Sequence, residues 1–491
     1  MQVANVRFPC SSSSFSIRCR TDRRTFPVGA ILTVALIALL SVFVCTAAFI
    51  PRLHEYSALS TLTRIFSTNN DNAQYAFFNG IRIVSLLWII LGHSYVFQLT
   101  VSDNVIHVLD NLHQSLIMQL IFGAVFAVDT FFFISGFLAV LVFLAAFKHV
   151  DTIRVQHILV YYLHRYCRLI PTLVFVLLVS LHLTPWMGDG PMFPCSTGFE
   201  VPACRQHWWT TLLFVNNLIS PATACLAVTW YLANDFQFHL LAPLLLIPYI
   251  TGRRRWTYAL LVMLLVANVA TLIGIIGTHP GLENGFTNDD APSVDYFEKI
   301  YITPWSRIGA FLVGMITKLL VDAYPARLSS IRMLLGTSVS IAMTVLCIFF
   351  PFYAHRCPRF IAVVYQSISR QCWAMAIGWL VFVCSTTPQG VLNRMLSWPI
   401  WTVLARLSYP AYLIHTTIIL VQVYNRLSTL HYQTSVLFNA FLSQSMLTLV
   451  ASVFVVVLVE RPCTVLEKHL RRHWKEKQSI AATRQGYGTI T

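Results

Sequence analysis

An arginine and a histidine, Arg82 and His93, lie in one apolar segment of the chain with ten residues between them. In a helix, eleven steps of about 100° bring both side chains to within roughly 20° of one face. The same steps separate them by about 16 Å, roughly half the thickness of the hydrocarbon core of a bilayer. Ionisable groups inside a spanning helix are costly and usually mark a function. The pair predicts an anion-binding arginine at the membrane surface and a proton-handling histidine near the midplane.

Two side chains are candidates for acid–base chemistry at that depth. A neutral imidazole can accept a proton from a hydroxyl, so His93 is a candidate general base; the alternative is a packing histidine bonded to a neighbouring helix. Asp129 also lies in an apolar segment, where an unpaired carboxylate needs a partner. Either it orients the imidazole of His93, as the carboxylate of a catalytic triad does, or it is a structural group bonded to backbone or water.

Two further arginines, Arg165 and Arg168, are three residues apart and therefore share one face of a helix. Guanidinium groups bind phosphate in bidentate fashion, so at a cytosolic helix start the two can hold a nucleotide-like acyl donor. The alternative is that they anchor the segment to lipid phosphates, which is a common use of arginines on the cytosolic side.

Four more residues are candidate substrate contacts. Asp235 lies at a predicted lumenal helix start, where it either caps the helix or faces an acceptor. Arg307 follows Pro304 in the first turn of another helix and is expected to face a lumenal or pore-lining anion. His415 lies three residues after Tyr412 in an apolar helix, and a hydrogen-bonded packing role is its alternative.

The composition places these residues in a polytopic membrane protein. Of 491 residues, 56% are hydrophobic and only 11% are charged, whereas soluble domains are about 25% charged. The net charge of +15 comes from 34 Lys and Arg against 19 Asp and Glu, and it indicates basic cytosolic loops rather than nucleic-acid binding. Apolar stretches recur at helical length rather than at the length of barrel strands, which predicts an all-α bundle.

Eleven apolar segments organise the chain, one ahead of a polar linker and ten in a continuous core. The predicted parts are a short lumenal segment at 1–27, an extra transmembrane helix at 28–50, a cytosolic linker at 51–79, a ten-helix core at 80–459 and a basic cytosolic tail at 460–491. The predicted core helices lie near 80–100, 117–147, 168–185, 227–250, 256–278, 304–323, 333–352, 372–387, 402–424 and 437–459. Lysines and arginines concentrate in the loops on one side, which we expect to be cytosolic.

Cysteines occur in the segments that we expect to be lumenal, where disulfides form. The expected bridges are Cys204–Cys225 and Cys357–Cys372, with free thiols as the alternative, because sequence does not fix connectivity. No Cys/His cluster has the spacing of a zinc site, so no metal is expected.

Together these segments resemble acyltransferase family 3 of integral membrane proteins, and more closely its animal branch, the nose-resistant-to-fluoxetine proteins. The resemblance covers about residues 75–470 and rests on motifs that occur in the family's order. These are Asn79-Gly80-Ile81-Arg82 through Gly92-His93, Val128-Asp129-Thr130-Phe131-Phe132 with Ser135-Gly136-Phe137, Arg165 with Arg168 and Pro171, Trp230-Tyr231-Leu232 with Asp235 and Gln237, Pro304 with Arg307, Arg370 with Trp373, Leu407-Ser408-Tyr409 with Tyr412-Leu413 and His415, and Glu460 with Pro462 and Leu466-Glu467-Lys468.

The resemblance implies a ten-helix core that transfers an acyl group, usually acetyl from acetyl-CoA, to a hydroxyl. The family's essential histidine maps onto His93, with Arg82 as its motif partner. The family's two-arginine motif, implicated in donor binding or active-site architecture, maps onto Arg165 and Arg168. The animal branch has been linked to drug and lipid uptake.

We therefore expect a multi-pass O-acyltransferase in the plasma membrane or an endomembrane such as the endoplasmic reticulum. Its donor would be acyl-CoA, and its acceptor a hydroxyl of a lipid, sterol or small molecule. Membrane lipids, donor and acceptor are the expected partners, and nucleic acid is not. The alternative is a non-catalytic transporter or lipid- and drug-uptake protein, because charged residues at membrane depth serve carriers equally well.

Overall fold

The structure is a computed structural model. It describes residues 26–69, 73–111, 115–147, 154–194, 198–199, 201–219, 224–285, 293–325, 329–351 and 357–471. Most of the predicted N-terminal segment at 1–27 and of the predicted tail at 460–491 therefore lies outside the described residues. The division of the chain into those parts, and the side that faces the cytosol, stay predictions.

The described residues form helices without a β-strand, and 83% of these residues are helical, so the predicted all-α class is confirmed. The helices in chain order are α1 (Val28–Thr46), α2 (Ala58–Phe66), α3 (Phe77–Leu99), α4 (Val105–Asn111), α5 (Leu116–Phe122), α6 (Val125–Phe147), α7 (Val155–His182), α8 (Val201–Leu212), α9 (Trp230–Ile250), α10 (Arg254–Thr278), α11 (Ser293–Tyr296), α12 (Pro304–Ala323), α13 (Ser330–Phe349), α14 (Arg359–Thr386), α15 (Val391–Leu396), α16 (Pro399–Ala405), α17 (Ser408–Tyr424) and α18 (Thr434–Val455). Short 3-10 or π turns lie at Ala47–Phe49, Pro51–Tyr56, Ala73–Tyr75, Thr184–Trp186, Ala227–Thr229, Leu282–Asn284, Phe297–Tyr301 and Val456–Glu460.

Each of the eleven predicted apolar segments corresponds to a long helix or a helix pair. Within the described residues, eight spans are long and apolar enough to cross a membrane, and the bent pair α16 and α17, which meet at 64°, is a ninth. Helices α9 and α12, of 21 and 20 residues, are also long enough to cross a membrane. Their buried polar side chains make them less apolar than the nine spans above. The predicted multi-pass membrane protein is confirmed.

The centre of the bundle is α12, which packs against α6, α9, α10 and α14. Glycines bring α6 and α12 into close contact. A Cβ atom at Gly136 would lie 2.0 Å from the carbonyl oxygen of Phe311, and one at Gly314 would lie 2.1 Å from that of Phe133. Small residues at such crossings let two backbones approach, which is how helices associate where lipid offers no hydrophobic drive. The two helices that carry Asp129 and Arg307 are thereby held together.

Two helices begin 13 residues before their predicted starts. Helix α7 begins at Val155 instead of 168, and α14 begins at Arg359 instead of 372. Both early stretches contain polar side chains that indicated loops. In the fold these side chains have partners on neighbouring helices, as Arg165 has in Asp235 and Arg370 has in Tyr296. Arg165 and Arg168 therefore lie in a helix interior, and the expectation that they lie at a helix start was wrong.

The two expected disulfides have different outcomes. Cys204 and Cys225 are joined, with a Cα–Cα distance of 4.4 Å. Cys357 and Cys372 are not joined to each other, and both are free among the described residues, so the second bridge was wrongly expected. Cys357 precedes α14, whereas Cys372 lies 13 residues after Arg359, its first residue, or about 20 Å along the axis. A disulfide needs Cα atoms about 4.4–6.8 Å apart.

The linker before α3 is attached to the core by one arginine. Arg406, in the break between α16 and α17, donates hydrogen bonds to the carbonyl oxygens at the end of α2 and just beyond it, namely those of Arg64, Ile65, Ser67 and Asn69. Carbonyls at a helix end have no intrahelical donor, so a guanidinium is a suitable cap for them.

Replacing Gly314 with leucine should lower the melting temperature of the detergent-purified protein by several degrees, because overpacking at a close helix crossing costs about 1–3 kcal/mol. Gly274→Leu is the matched control: it is also a helical glycine, and nothing lies within 4 Å of its ideal Cβ. Both substitutions improve helix propensity equally. Equal melting temperatures for the two variants would contradict the assigned α6–α12 packing.

Candidate active site

Two histidines from distant parts of the chain meet inside the bundle. Nδ1 of His93 on α3 lies 2.8 Å from Nε2 of His415 on α17, and the rings are nearly parallel, with centroids 5.0 Å apart. Nδ1 of His415 lies 2.6 Å from the carbonyl oxygen of Tyr412. His415 is fully buried and His93 is half-buried. His93 is thus the more accessible end of a short hydrogen-bonded chain.

The hydrogen bonds fix where the protons of the two neutral rings lie. A carbonyl oxygen only accepts, so Nδ1 of His415 carries its proton and Nε2 of that ring accepts. Nδ1 of His93 must then donate, which leaves Nε2 of His93 with a lone pair that no described residue engages. This pair, the histidine dyad, presents a base whose orientation is set by a second imidazole.

Asp129 does not contact His93. Its two carboxylate oxygens accept hydrogen bonds of 2.9 and 2.8 Å from Nη1 of Arg307, and both side chains are 1% exposed. Nε of Arg307 donates to the carbonyl oxygen of Tyr301 at 2.8 Å. The expected orientation of His93 by Asp129 was therefore wrong, since α6 turns this carboxylate towards α12. The anion that Arg307 meets is a side chain of this protein.

Arg165 is also engaged by the protein itself. Its Nη2 atom forms an ion pair with Oδ2 of Asp235, and donates to Oγ of Ser135 at 3.3 Å. Asp235 lies five residues after Trp230, the first residue of α9, and is buried. It neither caps this helix nor faces solvent, because it is the counter-charge of Arg165. The predicted pair of arginines is thus divided into one paired and one available cation.

Arg82 and Arg168 are the cations left available. Among the described residues neither forms an ion pair or a hydrogen bond, and Arg168 and Tyr231 lie within electrostatic reach of Arg82. Arg82 is half-buried and Arg168 is exposed. Glu460 is within electrostatic reach of Arg168. Two nearby guanidinium groups without bonded carboxylates favour the binding of an anion.

Two tyrosines lie between these arginines and the histidine dyad. The ring of Tyr231 lies 5.3 Å from that of Tyr412, which in turn lies 5.6 Å from the ring of His415. Tyr412 donates its hydroxyl to the carbonyl oxygen of Val228 at 2.8 Å. Sequence reasoning missed Tyr231 as a site residue, because tyrosine at a helix start is also typical of a membrane interface.

No group of three or more His, Cys, Asp or Glu side chains that could hold a metal ion occurs in the part of the chain that the structure describes. The arrangement offers an oriented imidazole, with one cation, Arg82, about three turns away on the same helix. An imidazole with a free lone pair suits proton removal from a hydroxyl.

The chain is similar to known proteins over most of its length. Residues 75–461 match a family of acyltransferases, Acyl_transf_3, described as "Acyltransferase domain". The chain is 28% identical over 411 residues to Nose resistant to fluoxetine protein 6 of Caenorhabditis elegans, covering 77% of this chain and 48% of that protein. It is 24% identical over 392 residues to Regulator of hypoxia-inducible factor 1 of the same organism, covering 72% of each.

The chain therefore spans about half the length of the first relative and more of the second. No solved structure matches it. The histidine dyad, the available arginines and the two tyrosines all lie within the matched region 75–461. Since that region covers most of the 491 residues, the chain belongs to the acyltransferase 3 family of membrane proteins.

Proposed function

We propose that this protein is a membrane O-acyltransferase that moves an acyl group, acetyl first among them, from acyl-CoA to a hydroxyl of a lipid, sterol or small molecule. The observation that carries the proposal is the histidine dyad, which leaves Nε2 of His93 free to accept a proton. Membership of an acyltransferase family supports the reaction class.

The donor would be held by its phosphates. Arg82 and Arg168 have no ion-pair partner among the described residues, and guanidinium groups suit the charge and shape of phosphate. Arg82 and His93 share helix α3, and eleven residues of helical rise separate them by about 16 Å. A donor bound through its phosphates at Arg82 would extend its flexible arm along α3, with the thioester at the level of His93.

The dyad would act first as a base and then as an acid. Nε2 of His93 removes the hydroxyl proton of the acceptor while the oxygen attacks the thioester carbonyl carbon. The tetrahedral intermediate then expels the CoA sulfur, which takes the proton back from His93. Ester and free CoA are the products, and both rings return to their neutral forms. The bond from Nδ1 of His93 to His415 stabilises the imidazolium between the two steps.

His93→Ala should lower acyl transfer from labelled acetyl-CoA by about 10²–10⁴-fold, the usual contribution of a positioned base. The assay uses purified protein in liposomes with a panel of hydroxyl acceptors. The control is His431→Ala, since the side chain of His431 is 70% exposed. Transfer by His93→Ala at the wild-type rate would refute the proposal, and substrate uptake without any acyl turnover would favour the transporter alternative.

The role of His415 is to position His93, so a carboxamide oxygen in its place should partly replace it. His415→Ala should reduce kcat by about 10²-fold with little change in KM for the donor, since orientation and imidazolium stabilisation are lost. His415→Gln offers an acceptor for the Nδ1 proton of His93 and should retain more activity. Equal losses in both variants, or a change confined to KM, would argue against positioning.

Arg82→Ala and Arg168→Ala should each raise KM for acetyl-CoA by about 10- to 100-fold, as expected when one charge-assisted contact worth about 1.5–3 kcal/mol is lost. The same variants should match wild type with S-acetylpantetheine, which lacks the phosphates. Arg332→Ala is the control, because Arg332 is an exposed arginine on α13. An equal loss with both donors would show that these arginines do not read the phosphates.

A further inference from the structure

A second polar centre lies in the bundle, apart from the histidine dyad. Its members, called the Asp129 cluster here, are Asp129, Arg307, Arg370, Tyr296 and Tyr301. Arg307 is 1% exposed and Arg370 is 5% exposed. Asp129 binds Arg307 directly and is within electrostatic reach of Arg370. Two buried cations thus share one buried carboxylate.

Both guanidinium groups keep a donor that is not used. Nη2 of Arg307 and Nη1 of Arg370 are buried and have no hydrogen-bond partner among the described residues. Other donors of the two groups are bonded: Nη2 of Arg370 donates to the hydroxyl of Tyr296 at 3.1 Å, and Nε and Nη1 of Arg307 donate to Tyr301 and Asp129. Among the described residues, Asp129 is the only carboxylate within ion-pair distance of either arginine. Within the described part of the chain, one positive charge and one NH₂ group on each arginine therefore remain without a partner.

Contacts with aromatic rings stabilise the guanidinium group of Arg307, but they do not neutralise the surplus positive charge of the Asp129 cluster. The guanidinium carbon of Arg307 lies 4.4 Å from the ring centroid of Tyr301 and 5.2 Å from that of Trp230. Such contacts stabilise a cation, but they supply no negative charge and no in-plane acceptor for Nη2. A surplus charge in the interior of a membrane protein is costly unless it is paired.

We propose that the Asp129 cluster binds one compact anion of single charge, a halide or a carboxylate, through Nη2 of Arg307 and Nη1 of Arg370. The charge follows from the surplus of one, and the compact size from the burial of both donors. The site lies on α6, α12, α14 and the turn before α12, so the anion would join these elements. The proposal is independent of acyl transfer and is tested without it.

The experiment measures the melting temperature of the purified full chain in detergent at equal ionic strength in chloride, in acetate and in the bulky anion gluconate. A ligand that binds only the folded state raises its stability in proportion to the logarithm of ligand concentration. We expect the melting temperature in chloride or acetate to be a few degrees higher than in gluconate. This difference should level off as the anion concentration is raised. A rise with chloride alone identifies a halide site, and a rise with acetate alone identifies a carboxylate site. No rise with either anion overturns the proposal.

Substitutions test whether the rise in melting temperature depends on the Asp129 cluster. Arg370→Gln removes the surplus charge, so the rise should disappear, and in gluconate this variant should melt no lower than wild type. Arg370→Lys keeps the charge and should keep the rise. Arg394→Gln, which removes an exposed arginine, should behave as wild type does. An undiminished rise in Arg370→Gln would overturn the proposal. Should that variant fail to fold, the wild-type titration still decides, since a flat response in chloride and acetate excludes the site.

Discussion

The ion pair between Asp129 and Arg307 is the interaction on which the arrangement of the bundle depends. Neither group can be placed alone at membrane depth, because an unpaired charge there is expensive. Pairing lowers the cost of burying each charge. Because the two side chains must face each other, the pair also fixes the rotation of α6 against α12. The glycines at Gly136 and Gly314 supply the close approach that this contact requires. With α12 fixed at the centre, the helices that pack around it acquire defined positions.

The position of the catalytic candidates follows from the same need for internal partners. Asp235 is used to pair Arg165, and Asp129 is used to pair Arg307. The described carboxylates nearest these arginines are thus committed, and a neutral imidazole remains to orient His93. An imidazole partner brings no charge into the apolar interior in the resting state. It can also share a proton once His93 has accepted one, so the cost of a buried cation is spread over two rings.

The apolar segments were predictable from the sequence because hydrocarbon imposes length and composition on a spanning helix. The starts of α7 and α14 could not be predicted, because arginines inside an apolar helix indicate a loop as long as their partners are unknown. The larger limit on prediction was that the sequence does not show which distant side chains contact each other. His93 and His415 are 322 residues apart, and Asp129 and Arg307 are 178 apart. Spacing along one helix revealed Arg82 and His93, but no periodicity reveals which distant helix completes a contact.

The attachment of Arg406 bears on where the folding unit ends. Four carbonyl oxygens between Arg64 and Asn69 converge on this guanidinium, at the end of α17 that precedes His415. The stretch shared with the family starts only at residue 75. In a shortened protein that starts there, Arg406 would lose the four carbonyl oxygens that accept its hydrogen bonds. The start of α17, the helix that carries His415, would then be less firmly held. The folded unit of this protein thus extends beyond the stretch that the family model matches.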